Sequence, residues 1–428
     1  MRRDGKRKVS AGTIAVLAVT LLVLAGTGFV WGRLSSGKTV DLSGMQPESL
    51  ELQINTGSPE ETAGIPLEGT PTPAPVPRAT DTPAPETKGK SFTLTAAGTV
   101  ALEGEVRKNS YYSDAKQYDY YDIMTLLKKE MQSDLNVAFT ENLFSEDGKV
   151  TDTVSSGAGA VMLKAAGFNT AACGFSKAYD KTDTGIAATR KLLTEYGIRP
   201  AGICENGETD RICTAEINGI RTALLQYTDT VPAAVRKKMA KNGQDSAVPA
   251  ADAESIAADI SRARETGCEA VIVLLNWGKA GKAPDKNMRS LAQQIADAGA
   301  DLIIGSGSRI VSGAETLTAA ETGREVLCVW SLGTTLSGDR SSVRKIAGML
   351  LQATVSVDGG RTEIRDVCYI PLYTWKYRQD SRFYYRCLAA DREIPDGMDT
   401  EQQKMMKKAA ETVRNAMKDS PVEERKLE

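Results

Sequence analysis

The sequence contains no histidine in 428 residues, which removes much of the chemistry a chain this long could carry. Imidazole is the commonest side-chain metal ligand and the usual proton carrier near neutral pH. Ser-His-Asp and Cys-His catalysis are therefore excluded. A metal site would have to be built from carboxylates, amides or thiolates. The seven cysteines form no C-x-x-C pair, which argues against a zinc knuckle. Cys204 and Cys213 flank a polar, glycine-containing stretch and are candidates for stapling a hairpin. Cys173, Cys268 and Cys328 lie in or beside apolar runs and read as small buried hydrophobes. Asp114, Asp119 and Asp122 stand close in sequence, but Tyr111, Tyr112, Tyr118, Tyr120 and Tyr121 accompany them. That segment reads as cover over a groove or as packing on a sheet, not as a magnesium site. With 25% charged residues and a net charge of −2, the balance gives no electrostatic case for nucleic acid, which would want a clustered basic face, and no nucleic-acid partner is expected.

The elements that would position any site follow a markedly uneven N-terminus. Residues 1–10 form a basic tail with Arg2, Arg3, Lys6, Arg7 and Lys8. Residues 11–33 follow, with no charge from Ala11 to Trp31, long enough to cross a hydrocarbon core at about 20 helical residues. The basic flank predicts a single-pass signal-anchor in the cell membrane, N-terminus inside, with the rest extracellular. A cleaved signal peptide is the alternative, but the run is long and offers no clean small-residue cleavage site. Residues 34–90 hold nine of the sixteen prolines, concentrated from Pro71 to Pro85 among Thr and Ala. They predict a disordered spacer.

Folded sequence is expected over 91–375, with a C-terminal extension over 376–428. Ser91 to Gly98 alternates like a strand. Further strands are predicted over Leu135 to Phe139, Asn169 to Cys173, within Ile217 to Gln226, and over Ala270 to Leu275, Asp301 to Gly305, Val326 to Leu332, Ala353 to Val357 and Val367 to Pro371. Helices are predicted over Tyr121 to Met131, Gly157 to Ala166, Thr184 to Tyr196, Ala251 to Thr266 and Met288 to Ala298. The apolar run AVIVLL at Ala270 to Leu275 has the length of a strand buried on both faces. Alternating strands and helices predict an α/β sheet covered on both sides. The tail over 400–418 reads as an amphipathic helix, with Thr400 and Gln403 at capping-box spacing. Its stripe is Met405, Ala409, Val413, Ala416 and Met417, expected to pack on its own domain.

Six fragments at predicted strand ends, read in order from Phe92 to Leu336, resemble the CapA family of poly-γ-glutamate capsule biosynthesis proteins. They are Gly98-Thr99, Asn142-Leu143-Phe144, Gly167-Phe168-Asn169 with Gly174-Phe175-Ser176-Lys177 and Asp180, Asn276-Trp277-Gly278, Asp297-Ala298-Gly299-Ala300-Asp301 with Gly305-Ser306-Gly307-Ser308-Arg309, and Ser331-Leu332-Gly333-Thr334-Thr335. The resemblance implies a four-layer α/β/β/α metallophosphoesterase-like sandwich, with a site where strand-end loops converge.

The same resemblance implies a vestigial metal site. Active relatives hold two ions with carboxylates, amides and imidazoles, an arrangement that clamps both oxygens of a phosphoryl transfer. The matching positions here are Thr99, Asn142, Phe144, Ser176, Lys177, Asn276, Ser306, Ser308 and Arg309. Threonine and phenylalanine cannot replace carboxylates, and an ammonium or guanidinium repels a cation. No metal, no cofactor and no catalytic residue is therefore expected. Two gained cations suggest instead an anion site formed by Lys177, Arg309, Ser176, Ser306 and Ser308. Asp180 is expected to orient its loop, and Trp277 to pack rather than line a pocket. The expected partners are the cytoplasmic membrane through one helix, and an anionic envelope polymer or capsule-synthesis proteins. The alternative is an active metal-dependent phosphoesterase, hydrolase or ligase component with an unconventional histidine-free site.

Overall fold

A computed structural model describes residues 89–425 except 147–148, 180–182, 206–210, 230, 391 and 393. The expected tail, membrane anchor and nearly all of the spacer, residues 1–88, lie outside the described residues. Among those described, no helix is long and apolar enough to cross a membrane.

Two β-sheets face each other. In the first, β1 (Lys90–Val100) is the axis, paired in parallel with β2 (Leu135–Thr140), which carries β3 (Thr170–Ala172) and β4 (Arg199–Ala201) in turn, also parallel. The second sheet begins at an edge hairpin of β5 (Cys213–Ile217) and β6 (Ile220–Thr228). It continues in parallel through β7 (Ala270–Trp277), β8 (Leu302–Gly307) and β10 (Glu325–Val329), with β9 (Ala314–Thr318) antiparallel at the far edge. The chain then returns to the first sheet. The short β11 (Thr334–Leu336) lies parallel to β1, and β12 (Ala347–Asp358), β13 (Arg361–Gln379) and β14 (Arg382–Ala389) follow as an antiparallel meander.

Hydrophobic periodicity explains the layering. Along β1 and β2, Phe92, Leu94, Ala96, Leu135 and Val137 point toward Leu224, Ile272, Leu274 and Ile304 of the second sheet, forming the inner core. Alternate residues, Ala97, Ala138 and Ala171, face the opposite way, into α2 (Ala158–Ala166) and α3 (Asp183–Glu195). On the second sheet, Val271, Val273 and Leu275 face α5 (Ala253–Glu265) and α6 (Lys286–Asp297). All eight residues of β7 are buried, as the continuous apolar run requires when helices and a second sheet cover both faces. The order is thus helix, sheet, sheet, helix, in a mixed α/β fold.

Several boundaries differ from expectation. The folded region starts at Lys90 instead of residue 91. Residue 375 is not a domain boundary: β13 runs through it and β14 completes the sheet. Trp375, Lys376 and Tyr377 alternate aromatic and charged side chains, a pattern that fits a strand emerging from the core. Tyr121–Leu127 is a 3₁₀ helix in place of the expected α-helix. Two α-helices, α1 (Gly104–Asn109) and α4 (Ala233–Lys241), lack a sequence forecast. The C-terminal helix α7 (Thr400–Met417) forms, but its capping box uses Asp399 and Gln402, one residue earlier than read. Its buried stripe accordingly includes Met406, whereas Met405 is exposed. The stripe joins the inner core, so α7 packs on its own domain. No disulfide joins Cys204 to Cys213: the first is buried and the second half-buried.

Candidate functional site: a guanidinium among the strand-end loops

Because β1, β2, β7 and β8 run parallel within their sheets, their C-terminal ends deliver loops to one face of the molecule. Gly98 lets the crossover segment that leads into β11 lie close against β1. A Cβ at that position would lie 2.3 Å from the Gly333 carbonyl oxygen, and the Thr99 amide donates to the same oxygen at 2.9 Å. Thr99 then projects across to the second sheet, where its hydroxyl and that of Ser306 are 3.0 Å apart. Both are fully buried.

Arg309 follows on the loop after β8. Its φ of +59° lies in the left-handed region, uncommon outside glycine, and Thr334 Oγ1 donates to its carbonyl at 2.8 Å. The guanidinium is seated between two carboxylates, Glu103 and Glu141. Nε reaches Glu141 Oε2 at 3.1 Å, Nη1 and Nη2 both reach Glu103, and Nη2 also contacts Glu141. Ser337 Oγ donates to Glu103 Oε1 at 2.9 Å, and Thr99 Oγ1 donates weakly to Glu141 at 3.4 Å. Burial opposes the charge on Arg309, but Glu141 and Glu103 outweigh it and raise the guanidinium pKa above its ordinary value. The group stays protonated at every pH the fold would survive.

This geometry corrects the expected anion site at one of its two cations. Every nitrogen of the Arg309 guanidinium is engaged by a carboxylate, so it does not present charge to a ligand. Lys177 is exposed on the loop after β3. It makes no ion pair or side-chain hydrogen bond among the described residues. Ser176 beside it is half-buried. Ser308 Oγ donates to its own loop, at the Ile310 carbonyl, 3.2 Å.

The other matched positions are occupied in holding loops together. Asn142 accepts from the Leu102 amide at 2.7 Å and donates to the Asp152 carbonyl at 3.1 Å. Phe144 is buried, and its amide donates to Thr189 Oγ1 at 2.8 Å. Asn276 is buried, in register with Ser306 on the adjacent strand. Trp277 packs: its indole donates to the Trp330 carbonyl at 2.8 Å, and the two rings stack at 5.6 Å. Asp180 lies outside the described residues. Asp114, Asp119 and Asp122 do not converge, each turning to a different neighbour, Ser113, the Tyr121 amide and Arg386.

Sequence reading missed Glu103 and Glu141. A signal existed: Glu141 precedes Asn142 directly, and Glu103 lies in the loop opened by Thr99. A part-buried arginine needs counter-charges within reach, and these are the acids nearest the converging loops. The residues present do not fit a pair of metal ions. Hydroxyls, a phenyl ring and an alkylammonium stand at positions that the resemblance assigns to metal ligands, and a guanidinium lies between the two carboxylates nearby, Glu103 and Glu141. Among the described residues, no three Cys, Asp or Glu side chains are placed to hold a metal ion.

Residues 93–339 match the family described as Bacterial capsule synthesis protein PGA_cap. The chain belongs to that family. The matched stretch coincides with the span of strand-end fragments that carried the CapA resemblance, so PGA_cap membership and the fragment register agree. No curated protein matches the chain. Among solved structures, it is similar to a hypothetical protein from Thermus thermophilus at 12% identity, covering 65% of this chain and 98% of that one, with a TM-score of 0.38. A novel phosphatase from Mycoplasma pneumoniae gives 14% identity, 66% and 94% coverage, and a TM-score of 0.38. The calcineurin-like phosphoesterase YfkN from Bacillus subtilis gives 12%, 76% and 99%, and 0.37. These likenesses are distant, and nothing about the chemistry of this PGA_cap member follows from them.

Proposed function

We propose that this protein serves bacterial capsule synthesis without catalysing phosphoester hydrolysis, as a binding or scaffolding member of its family. Membership in PGA_cap supplies the capsule association. The observation that supports the non-catalytic part is the seat of Arg309 between Glu103 and Glu141. A metallophosphoesterase-like site needs positive charge that can touch substrate, polarise it and activate water. Here the central positive charge is covalently tethered, carries no exchangeable water and is neutralised by two glutamates. The reading keeps residues 11–33 as a membrane anchor and places the ordered region outside the cell, on the strength of the uncharged run and its basic flank.

Purified protein incubated with chromogenic phosphomonoester and phosphodiester substrates in manganese or zinc is expected to give no turnover above buffer. Elemental analysis of the same preparation is expected to find metal well below stoichiometric. Stoichiometric metal accompanied by turnover would reject the proposal in favour of a histidine-free enzyme. Protease applied to intact cells is expected to remove the ordered region, and protection from it would reject the proposed orientation.

A further inference from the structure

Away from the strand-end loops, β4 is the last strand of the first sheet and β5 the first of the second. Gly197, with a φ of +66°, turns the chain out of α3 and into β4. Pro200 has no amide to donate, which suits a strand at a sheet edge. Beside these two edges lies a cavity of about 500 Å³, within the roughly 300–1,000 Å³ of small-molecule sites. None of the residues matched at the strand ends lines it. Thr194, Gly197 and Thr214 are exposed lining residues, so the cavity opens to solvent. Ile198, Pro200, Ile203 and Ile212 give it apolar walls.

Three guanidiniums line the cavity, and they differ in what holds them. Arg190 meets Glu205 at 3.3 Å and donates to the Ile203 carbonyl at 2.8 Å. Arg211 meets Asp259 at 3.1 Å. Arg199 is half-buried, and its side chain makes no ion pair or hydrogen bond among the described residues. Every other half-buried arginine among those residues has a carboxylate or a carbonyl on its guanidinium. An exposed lysine needs no such partner, because water solvates it fully. A guanidinium drawn part-way among isoleucines does, because desolvation without a partner is costly. The Cys213 thiol shows where this charge lies. Burial pushes its pKa up, and the nearby Arg199 and Arg190 oppose that rise.

We infer that the cavity binds a small monocarboxylate with an apolar body, its carboxylate seated on Arg199. A guanidinium fork pairs bidentately with carboxylate or phosphate. Arg190 and Arg211 are already matched by Glu205 and Asp259, so one open guanidinium calls for one negative charge. A carboxylate carries that charge, whereas a phosphate monoester near neutral pH exceeds it. The isoleucine and proline walls take the apolar body. With β4 in one sheet and β5 in the other, an occupant touches both edges at once. The inference concerns a second site and does not rest on the non-catalytic reading of the first.

The full chain in a neutral detergent would be titrated with hexanoate, benzoate and N-acetylleucine, each compared with its uncharged amide. Phenyl phosphate serves as the dianionic probe, and binding is read by calorimetry and ligand-observed NMR. At least one acid is expected to bind, with its amide about ten-fold weaker. Arg199→Gln is expected to lower affinity for that acid about ten-fold, and Arg199→Lys to lower it less. Both variants should keep the parent's thermal midpoint, since the Arg199 side chain has no internal bond to lose. Bound acid is expected to slow alkylation of Cys213 by iodoacetamide in the parent but not in Arg199→Gln. No binding of any acid at roughly 10 mM, equal affinity of acid and amide, undiminished affinity in Arg199→Gln, or preference for phenyl phosphate would each overturn the inference. A lowered midpoint in Arg199→Gln would make the arginine a structural group and overturn it too.

Discussion

Replacing Arg309 with alanine is expected to destabilise the protein by about 3 kcal/mol, lowering the thermal midpoint by about 5 °C. The cost comes less from the lost bonds than from what they leave behind. Glu103 and Glu141 are part-buried and converge on one guanidinium, so its removal sets two carboxylates facing each other with little water to solvate them. Two further variants separate this cause from simple loss of packing. Arg309→Ala combined with Glu103→Gln and Glu141→Gln should recover most of the stability, because the repelling charges are then gone. Arg309→Lys should recover only part, since an ammonium keeps the charge but cannot bridge two carboxylates as a planar fork does. Manganese should stabilise Arg309→Ala and leave the parent unmoved, because in the parent the space between the glutamates is filled. If Arg309→Ala were as stable as the parent, the guanidinium would not be acting as the counter-ion of that centre.

How much of this was legible in the sequence depends on the range of the interaction. The strands were readable because periodicity is local. AVIVLL announced β7, and alternation with a terminal glycine announced β1. Helices with a broad apolar face were readable for the same reason. Helix α4 was not: the segment Ala233–Lys241 carries four cations and buries only Met239, so no apolar stripe marks it, and it is held by contacts to Tyr179 that sequence spacing cannot foresee. The hairpin of β13 and β14 was cut short at residue 375 because its outer half leaves the core and loses strict alternation. At the site, the register brought forward Thr99, Asn142, Asn276, Ser306 and Arg309, which the fold does gather at the strand ends. It could not show that the loop after β8 passes through a positive φ at Arg309, turning the side chain onto glutamates 206 and 168 residues away. The two cations expected to act together therefore differ in setting: Lys177 is exposed, and Arg309 is held between two glutamates.

Substitution of Gly98 or Gly305 by alanine is expected to cost more than loss of any hydroxyl among Thr99, Ser176, Ser306 and Ser308. A Cβ on Gly98 would stand 2.3 Å from the Gly333 carbonyl oxygen and 2.9 Å from that of Leu332. On Gly305 it would stand 2.1 Å from the Trp330 carbonyl oxygen and 2.4 Å from the Trp277 indole nitrogen. Neither glycine has a positive φ, so the constraint is space and not backbone conformation. The opposing carbonyls belong to the backbone and cannot swing aside, and at Gly305 the bond between Trp277 and Trp330 would also be broken. Each variant should lose about 3–5 kcal/mol or fail to fold, read by chemical denaturation or by recovery of soluble protein. Thr99→Ala, which gives up the hydrogen bond with Ser306 and the weak one to Glu141, should lose about 1 kcal/mol. The ordering separates two roles within one motif. The glycines let the crossover through Trp330 to Gly333 pass close against β1 and β8 and are required whatever the site does, whereas the side chains beside them are free to change with its chemistry. A chain can keep the first set and change the second while retaining the fold's convergence point. Equal costs for Gly98→Ala and Thr99→Ala would show that the side chains still carry a structural burden of their own, and would dissolve that distinction.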